Sequence, residues 1–348
     1  MMRLDPRLPD RELFADADAM SEALGRRVRI ERIRYKPGTS IVAAVRDDEG
    51  RPCWVLTHAD PAKVRNHERH ALRAGARPEW IGAATTAGPA WADRELVRGL
   101  AEAPAGTDPR HAPLRYNPLR RLVVRVGSRV VKVSAAEQSV AAAQHLAAHG
   151  AAVIVPRRVS ARATTSAWWG GGDLAARPNA DLARRAGHEI AAIHAVPVGA
   201  LVLPRPSGAV LAERAARAIG AVAPDLERGA LRIADAAGAA AGSRGVVVHG
   251  DLSPDQILVG SDDVRIIDLD RAAIGAPERD LGSFLAAGGD AELITGYIEA
   301  GGRIDPRALR AWTAIAHLQK AVEPFRSACA DWASAAASAV DHAGEQIS

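Results

Sequence analysis

Apolar residues recur at helical spacing over residues 11–25, where RELFADADAMSEALG closes on Gly25, a residue suited to a helix stop. From residue 28 the pattern becomes that of strands. VRIERIRYKPGTSIVAAVRDDEGRPCWVLTHADP reads as strand, turn at Lys36-Pro37-Gly38, strand, turn at residues 47–50, strand. A helix over about 61–74 follows, and residues 85–112, rich in Ala, Pro and Gly, suggest a short strand and a linker. The succession then returns: LRYNPLRRLVVRVGSRVVKV (114–133) gives strand, turn, strand, tight turn at Gly127-Ser128, strand. Arg34-Tyr35-Lys36-Pro37 in the first segment matches Arg115-Tyr116-Asn117-Pro118 in the second. One mismatch in four residues fits a degenerate internal repeat, and fits chance about equally well.

Residues 135–150, AAEQSVAAAQHLAAHG, place Ala, Val and Leu on one face and end at Gly150, which predicts a single helix. AAVIVPRRV and residues 163–169 predict short strands, and Gly170-Gly171-Gly172 breaks the chain. Helices are expected over 181–194 and over about 209–239, the latter interrupted at Pro224. GVVVHGDLSPDQILVGSDDVRIIDLDRA holds two apolar strand-like runs around a polar loop, with Asp262-Asp263 in a hairpin turn. The remainder is mostly helical, with Trp312, Ile315, Leu318 and Val322 on one stripe. The expected architecture is a sheet-rich N-terminal half before a helical C-terminal half that carries a small β insert.

Composition narrows the class. Hydrophobic residues make up 48% and charged residues 25%, ordinary values for a soluble globular protein. No run approaches the roughly 20 apolar residues of a membrane span, and MMRLDPRLPD has neither an apolar core nor a cleavage pattern, so secretion is not expected. Two distant cysteines, Cys53 and Cys329, make neither a disulfide framework nor a zinc site. The expectation is a cytoplasmic protein. The net charge of +4 conceals a split: from residue 250 onward there are 16 Asp/Glu against 8 Lys/Arg, and before it 25 against 37. An acidic C-terminal part argues against nucleic acid there and suits metal ions and cationic ligands, whereas the basic part suits ATP or is simply a solvated surface. No G-x-S-x-G, H-E-x-x-H or G-x-x-x-x-G-K-[ST] occurs.

One stretch has the parts for phosphoryl transfer. That reaction needs a carboxylate to orient a hydroxyl and take its proton, oxygen ligands for Mg²⁺, and a cation on the nucleotide. Asp251 follows the apolar run Val246-Val247-Val248, in His249-Gly250-Asp251. Gln256 lies five positions on with an amide oxygen able to ligate a metal, and Asp268 follows Ile266-Ile267 at a strand end. Two strands flanking one loop would bring these three oxygen-bearing side chains together. Asp268 and Asp270, one residue apart, cannot both face a metal if the strand stays regular.

HGDLSPDQILV followed by RIIDLDRAAIGAPERDLGSFL resembles the catalytic and metal-binding segments of the aminoglycoside phosphotransferase family, including its maltokinase-like and aminosugar kinase members. The resemblance implies an α+β, protein-kinase-like bilobal fold with a small antiparallel-sheet N-lobe, a helical C-lobe and an extra N-terminal cap-like unit. It implies Asp251 as catalytic base, Asp268 and Gln256 as magnesium ligands, and Asp280 and His249 as support for the catalytic loop. Lys132, in Arg129-Val130-Val131-Lys132-Val133, resembles the strand lysine that contacts the phosphates, and Trp168 and Trp169 fall at the hinge beside the adenine. His194 matches a helix end and is read as a packing or capping residue. Three departures stand out. Gln256 occupies a position more often Asn, Glu137 is the sole acidic residue of the helix after Lys132, and the turn Asn117-Pro118-Leu119-Arg120-Arg121 replaces a glycine-rich loop, so that backbone amides or an arginine must serve the phosphates. The implied domains are 1–108, a cap-like unit readable as a degenerate N-lobe copy; 109–168, the ATP-binding small lobe; and 169–348, the catalytic and acceptor lobe. The implied function is ATP- and Mg²⁺-dependent phosphorylation of a hydroxyl on a small molecule (an aminoglycoside, aminosugar or sugar), with a cationic acceptor favoured by the acidic C-terminal part. The alternative is a catalytically silent kinase-like protein that binds nucleotide or a partner.

Overall fold

The structure, a computed structural model, describes residues 5–108, 110, 113–242 and 244–348. Part of the expected linker, residues 109, 111 and 112, lies outside them. The chain forms two compact units: Met1–Gln138 with Arg157–Trp168 and Pro324–Ala333, and Ser139–Pro156 with Trp169–Glu323 and Ser334–Ser348.

The first unit opens with α1 (Ala17–Ala23), capped by the Asp16 side chain. Next come β1 (Val28–Lys36), β2 (Ser40–Asp47), β3 (Pro52–His58), α2 (Pro61–Arg73), β4 (Glu79–Trp80) and β5 (Thr85–Pro89). After α3 (Val97–Ala101), β6 (Arg115–Asn117), β7 (Arg121–Val126) and β8 (Arg129–Ser134) follow. Beyond α4 (Ala141–Ala148), which groups with the second unit, come β9 (Arg157–Arg158) and β10 (Ala163–Ala167). The two antiparallel sheets have one topology, β1-β2-β3-β5-β4 and β6-β7-β8-β10-β9, each with a helix in the chain after its third strand. They share a core in which Val42, Trp54 and Leu56 of the first meet Leu122, Val124, Val131 and Val133 of the second. Strand alternation therefore places Arg121, Val123 and Arg125 on the face of β7 away from that core.

The second unit continues with β11 (Gly172–Asp173), α5 (Ala180–Ala195), α6 (Gly208–Val222), α7 (Pro224–Ala240), β12 (Val246–Val248), β13 (Ile257–Val259), β14 (Val264–Ile266) and β15 (Ala273–Gly275). Then come α8 (Glu278–Ala286), α9 (Glu292–Glu299) and α10 (Pro306–Lys320); α11 (Glu323–Arg326) groups almost wholly with the first unit, and α12 (Trp332–Glu345) returns to the second after its first two residues. Alanines of α6 and α7 pack on Trp312, Ile315 and Leu318 of α10, the stripe legible in the sequence. No helix among the described residues is long and apolar enough to cross a membrane. Helices α5 and α9 approach closely because Gly187 and Gly296 lie at their crossing, where an added Cβ would overlap Leu293 O and Arg184 O respectively. Gly296→Ala is accordingly expected to destabilise the protein by about 3 kcal/mol, the upper end for overpacking, as read by urea unfolding. A loss below about 1 kcal/mol would mean the helices can separate without strain.

Several expectations are corrected. The helix expected over 135–150 starts only at Ala141. Ser134 N–H, Ala135 N–H and Gln138 N–H instead bond the carbonyls of Arg162, Arg120 and Ala161 at 2.9, 2.8 and 2.8 Å, which keeps this stretch tied to the second sheet. Glu137 is thus exposed and outside α4. In AAVIV only Val153 makes a bridge, to Ile266. β14 ends at Ile266 and Asp268 has φ 63°, so the strand alternation invoked for Asp268 and Asp270 does not reach them.

Candidate active site

β12 pairs with β15 and delivers the chain into His249-Gly250-Asp251. The loop is held by the first turn of α8. Asp280, wholly buried, accepts from His249 N–H through Oδ2 at 2.7 Å and from Gly250 N–H through Oδ1 at 2.8 Å. Arg279 donates from Nη2 to Gly250 O at 2.8 Å, so adjacent residues of one helix grip the loop from both sides. Gly250 has φ 87°, and a Cβ there would overlap Arg271 O, so glycine is required on both counts.

A second layer supports Asp280. His194, in the last turn of α5, reaches Oδ2 with Nε2 at 3.1 Å, and its Nδ1 lies 3.1 Å from the Tyr297 hydroxyl on α9. Against an ionised carboxylate Nε2–H is the donor, and in the neutral ring Nδ1 then accepts from Tyr297. Burial works to raise the Asp280 carboxyl, but the His194 hydrogen bond, the electrostatic influence of His194 and His249 and the Gly250 N–H together carry it below its ordinary value. Burial pushes Tyr297 up to about 12 and lowers Arg279 from its ordinary value.

Two further segments are tied to this loop. Ile257 pairs with Ile266 in the β13–β14 hairpin, and Ile267 N–H donates to Gln256 O at 3.0 Å. The His249 ring closes the set, donating from Nε2 to Ile267 O at 2.8 Å. Asp251, Gln256 and Asp268 therefore lie on adjoining segments. The Asp251 side chain is 39% exposed, with Oδ2 3.0 Å from Arg271 Nη1. Gln256 Oε1 is buried with no hydrogen-bond partner among the described residues, an oxygen donor left open for a cation. Those residues contain no group of three or more His, Cys, Asp or Glu fit to hold a metal. Magnesium bound by one carboxylate, one amide oxygen and phosphate oxygens needs no such group, so Asp268 and Gln256 fit it chemically.

Lys132 and Trp168 belong to the first unit. Lys132 lies opposite Val123 and Thr164 on the face of the second sheet away from the core. The equivalent position in the first sheet, counted along the matching pairs, is Leu56 opposite Val42. Trp168 is 39% exposed, its backbone N–H donates to Ser128 O at 2.8 Å, and the Arg125 guanidinium stacks 4.1 Å from its ring centre. Trp169 belongs to the second unit, with Arg265 5.6 Å from its ring centre. A cavity of about 300 Å³ lined by Arg26, Cys53, Arg77, Glu79 and Trp91 has no evident part in this chemistry. Arg26 is already bidentate to Glu79, and burial raises the Cys53 thiol, which leaves it unreactive.

Sequence reading did not single out Arg271, Arg279 or Tyr297. Arg279 had a usable signal, its place beside Asp280. Tyr297 had none, because only the α5–α9 crossing brings it to His194.

A model of the family described as "Phosphotransferase enzyme family" matches residues 99–312. Among solved structures, a choline/ethanolamine kinase family protein from Mesorhizobium loti is similar at 19% identity and TM-score 0.51, covering 70% of this chain and 89% of that one. The macrolide 2'-phosphotransferase MphH from Brachybacterium faecium has 18% identity and TM-score 0.40 over 94% and 98% of the two chains. The aminoglycoside phosphotransferase APH(3'')-Id from Streptomyces rimosus has 21% identity and TM-score 0.43 over 57% and 89%. No curated protein matches the sequence. The fold is α+β and protein-kinase-like, with antiparallel sheets preceding a helical part.

Proposed function

This chain belongs to the phosphotransferase enzyme family, and from that premise we propose that it transfers the γ-phosphoryl group of ATP to a hydroxyl of a small molecule. The observation that carries the reading is the half-exposed Asp251 carboxylate on a loop whose backbone is fixed by the buried Asp280. Asp251 orients the acceptor hydroxyl and takes its proton as the oxygen attacks the γ-phosphorus. Arg271, 3.0 Å away, holds the carboxylate in the free protein; an ion pair this exposed contributes about 1 kcal/mol at most, so an arriving hydroxyl displaces it readily. Asp268 and Gln256 would hold Mg²⁺, which supplies charge compensation on the phosphates. Lys132 would contact the phosphates, and Trp168 and Trp169 would pack on the adenine. The first sheet is read as a copy of the nucleotide-binding sheet that lacks the strand lysine, because Leu56 stands in its place.

The acceptor reading follows charge. With 16 acidic against 8 basic residues from residue 250 onward, a cationic aminosugar or aminoglycoside is favoured over a neutral sugar. The decisive assay is ADP release from ATP and Mg²⁺ across aminoglycosides, aminosugars and neutral sugars. ADP formation that depends on one acceptor class is expected. A silent nucleotide-binding protein is the second reading, favoured by the exposed Glu137 and by an α4 without carboxylates. ATP binding without turnover on any acceptor would select it, and absence of ATP binding would remove the roles given to Lys132 and Asp268.

A further inference from the structure

The turn at residues 117–120 stands where the family resemblance expects a glycine-rich loop, yet its backbone donors are committed. Pro118 has no N–H. Leu119 N–H donates to Asp93 Oδ2 at 2.7 Å, and Arg120 N–H closes the turn on Asn117 O at 3.0 Å. Asp93 also accepts the Tyr116 hydroxyl at 2.9 Å through Oδ2 and Glu95 N–H at 3.0 Å through Oδ1.

The first sheet repeats this construction. Asp5 Oδ2 accepts Gly38 N–H and, at 3.1 Å, the Tyr35 hydroxyl, while its Oδ1 accepts Arg7 N–H at 3.0 Å. Thr39 N–H closes that turn on Lys36 O at 3.0 Å. Both turns have Pro second and a positive φ third, 62° at Gly38 and 60° at Leu119, as a type II turn demands. The differences are informative. Asp93 is wholly buried whereas Asp5 is partly exposed. A leucine stands where glycine is the unstrained choice, at a cost of about 1–2 kcal/mol, and the Asp93 and Tyr116 bonds over-determine the conformation that holds it there. Moreover, Arg121 and Lys132 occupy the positions that are Ser40 and Leu56 in the first sheet.

Arg121 and Lys132 share one face of the second sheet. Lys132 pairs with Val123, and Arg121, two residues from Val123, pairs with Ser134. The two cations are thus diagonal neighbours on adjacent strands, about 7–8 Å apart at the backbone, a spacing that their long side chains close around a polyphosphate.

We propose that this chain binds nucleotide phosphates with two side-chain cations, Lys132 and Arg121, in place of backbone amides, and that Asp93 is the positioning residue that fixes the turn from which Arg121 projects. The proposal rests on the phosphotransferase reading above. It is tested on the full chain by calorimetric titration with ATP plus Mg²⁺ and, separately, with adenosine, which lacks phosphates.

Arg121→Gln is expected to weaken ATP binding about tenfold to a hundredfold, the effect of losing a charged hydrogen bond, while leaving adenosine binding unchanged. Asp93→Asn should weaken ATP about tenfold, again without effect on adenosine. Asp5→Asn, the same change in the first sheet, should leave both affinities as they are. Leu119→Gly added to Asp93→Asn should restore much of the loss, because glycine holds a positive φ without help. Parent-like ATP affinity in Arg121→Gln overturns the two-cation arrangement, and it does so however well Asp93→Asn folds. Equal behaviour of Asp93→Asn and Asp5→Asn overturns the positioning role. A parent protein that does not bind ATP overturns the phosphotransferase reading and this inference together, whereas ATP turnover by both parent and Arg121→Gln at equal ATP affinity leaves that reading standing and defeats the inference alone.

Discussion

Asp251→Asn protein is expected to bind ATP and Mg²⁺ as the parent does and to turn over its acceptor about a thousandfold more slowly, within the range of a lost general base. Asn keeps the shape and one acceptor oxygen but cannot take a proton from the attacking hydroxyl. Stability should change little, because Asp251 is 39% exposed and its ion pair is with the exposed Arg271. The deficit should therefore fall on kcat rather than on nucleotide affinity. Measuring kcat, the KM for acceptor and ATP affinity on one preparation separates the possibilities. A variant that retains more than a tenth of parental kcat would remove Asp251 from this role, and a variant that loses ATP binding would point to a misfolded loop.

Asp280→Ala should have the larger effect on the fold. It leaves the N–H groups of His249 and Gly250 and the His194 ring without their acceptor in a dry interior. Each orphaned donor costs about 1–3 kcal/mol, so the three together should cost several kcal/mol. Urea unfolding should show that loss. Turnover should also fall in the fraction that remains folded, since the loop then loses both of its backbone anchors on Asp280 and keeps Arg279 and the His249 ring. Asp280→Asn should recover only part of the stability, because one of its two positions becomes an NH₂ that confronts a backbone donor instead of accepting from it.

The pH dependence has a definite sign. The folded carboxyl lies below its ordinary 3.8, so its contribution is complete above that value and is lost as pH falls through the folded value. The stability gap between parent and Asp280→Ala should accordingly narrow below about pH 4. A gap that stays constant into acid would show that Asp280 does not act as a charged acceptor.

The sequence alone went far here, for identifiable reasons. Period-2 runs broken by Lys36-Pro37-Gly38 and Asp47–Gly50 located β1 to β3, because a turn residue and an alternation of burial are both local properties. Pro224 divided α6 from α7 for the same kind of reason. The family was legible because His249-Gly250-Asp251, Gln256, Asp268 and Asp280 sit within a short span, and chemistry dictates residue type there more tightly than packing does.

What remained hidden depended on partners distant in sequence. Residues 135–140 carry helical propensity, yet two backbone bonds, to Arg120 and Ala161, outweigh it, and no local pattern reports such bonds. Tyr297 and His194 meet only because Gly187 and Gly296 let two helices touch. The repeat shows the division most clearly. From sequence, Arg34-Tyr35-Lys36-Pro37 and Arg115-Tyr116-Asn117-Pro118 were as consistent with chance as with descent. Folded, each tyrosine donates to a carboxylate well before it in the chain, Asp5 or Asp93, and each carboxylate fixes the third residue after its tyrosine. Sequence singled out the residues proposed to carry the chemistry, and Asp280 as the support of their loop, since those are matters of functional groups at short spacing; tertiary structure alone decided that Asp93 and Asp5 hold their turns and that His194 and Tyr297 back Asp280, since hydrogen bonds across a fold depend on distances that the order of residues does not encode locally.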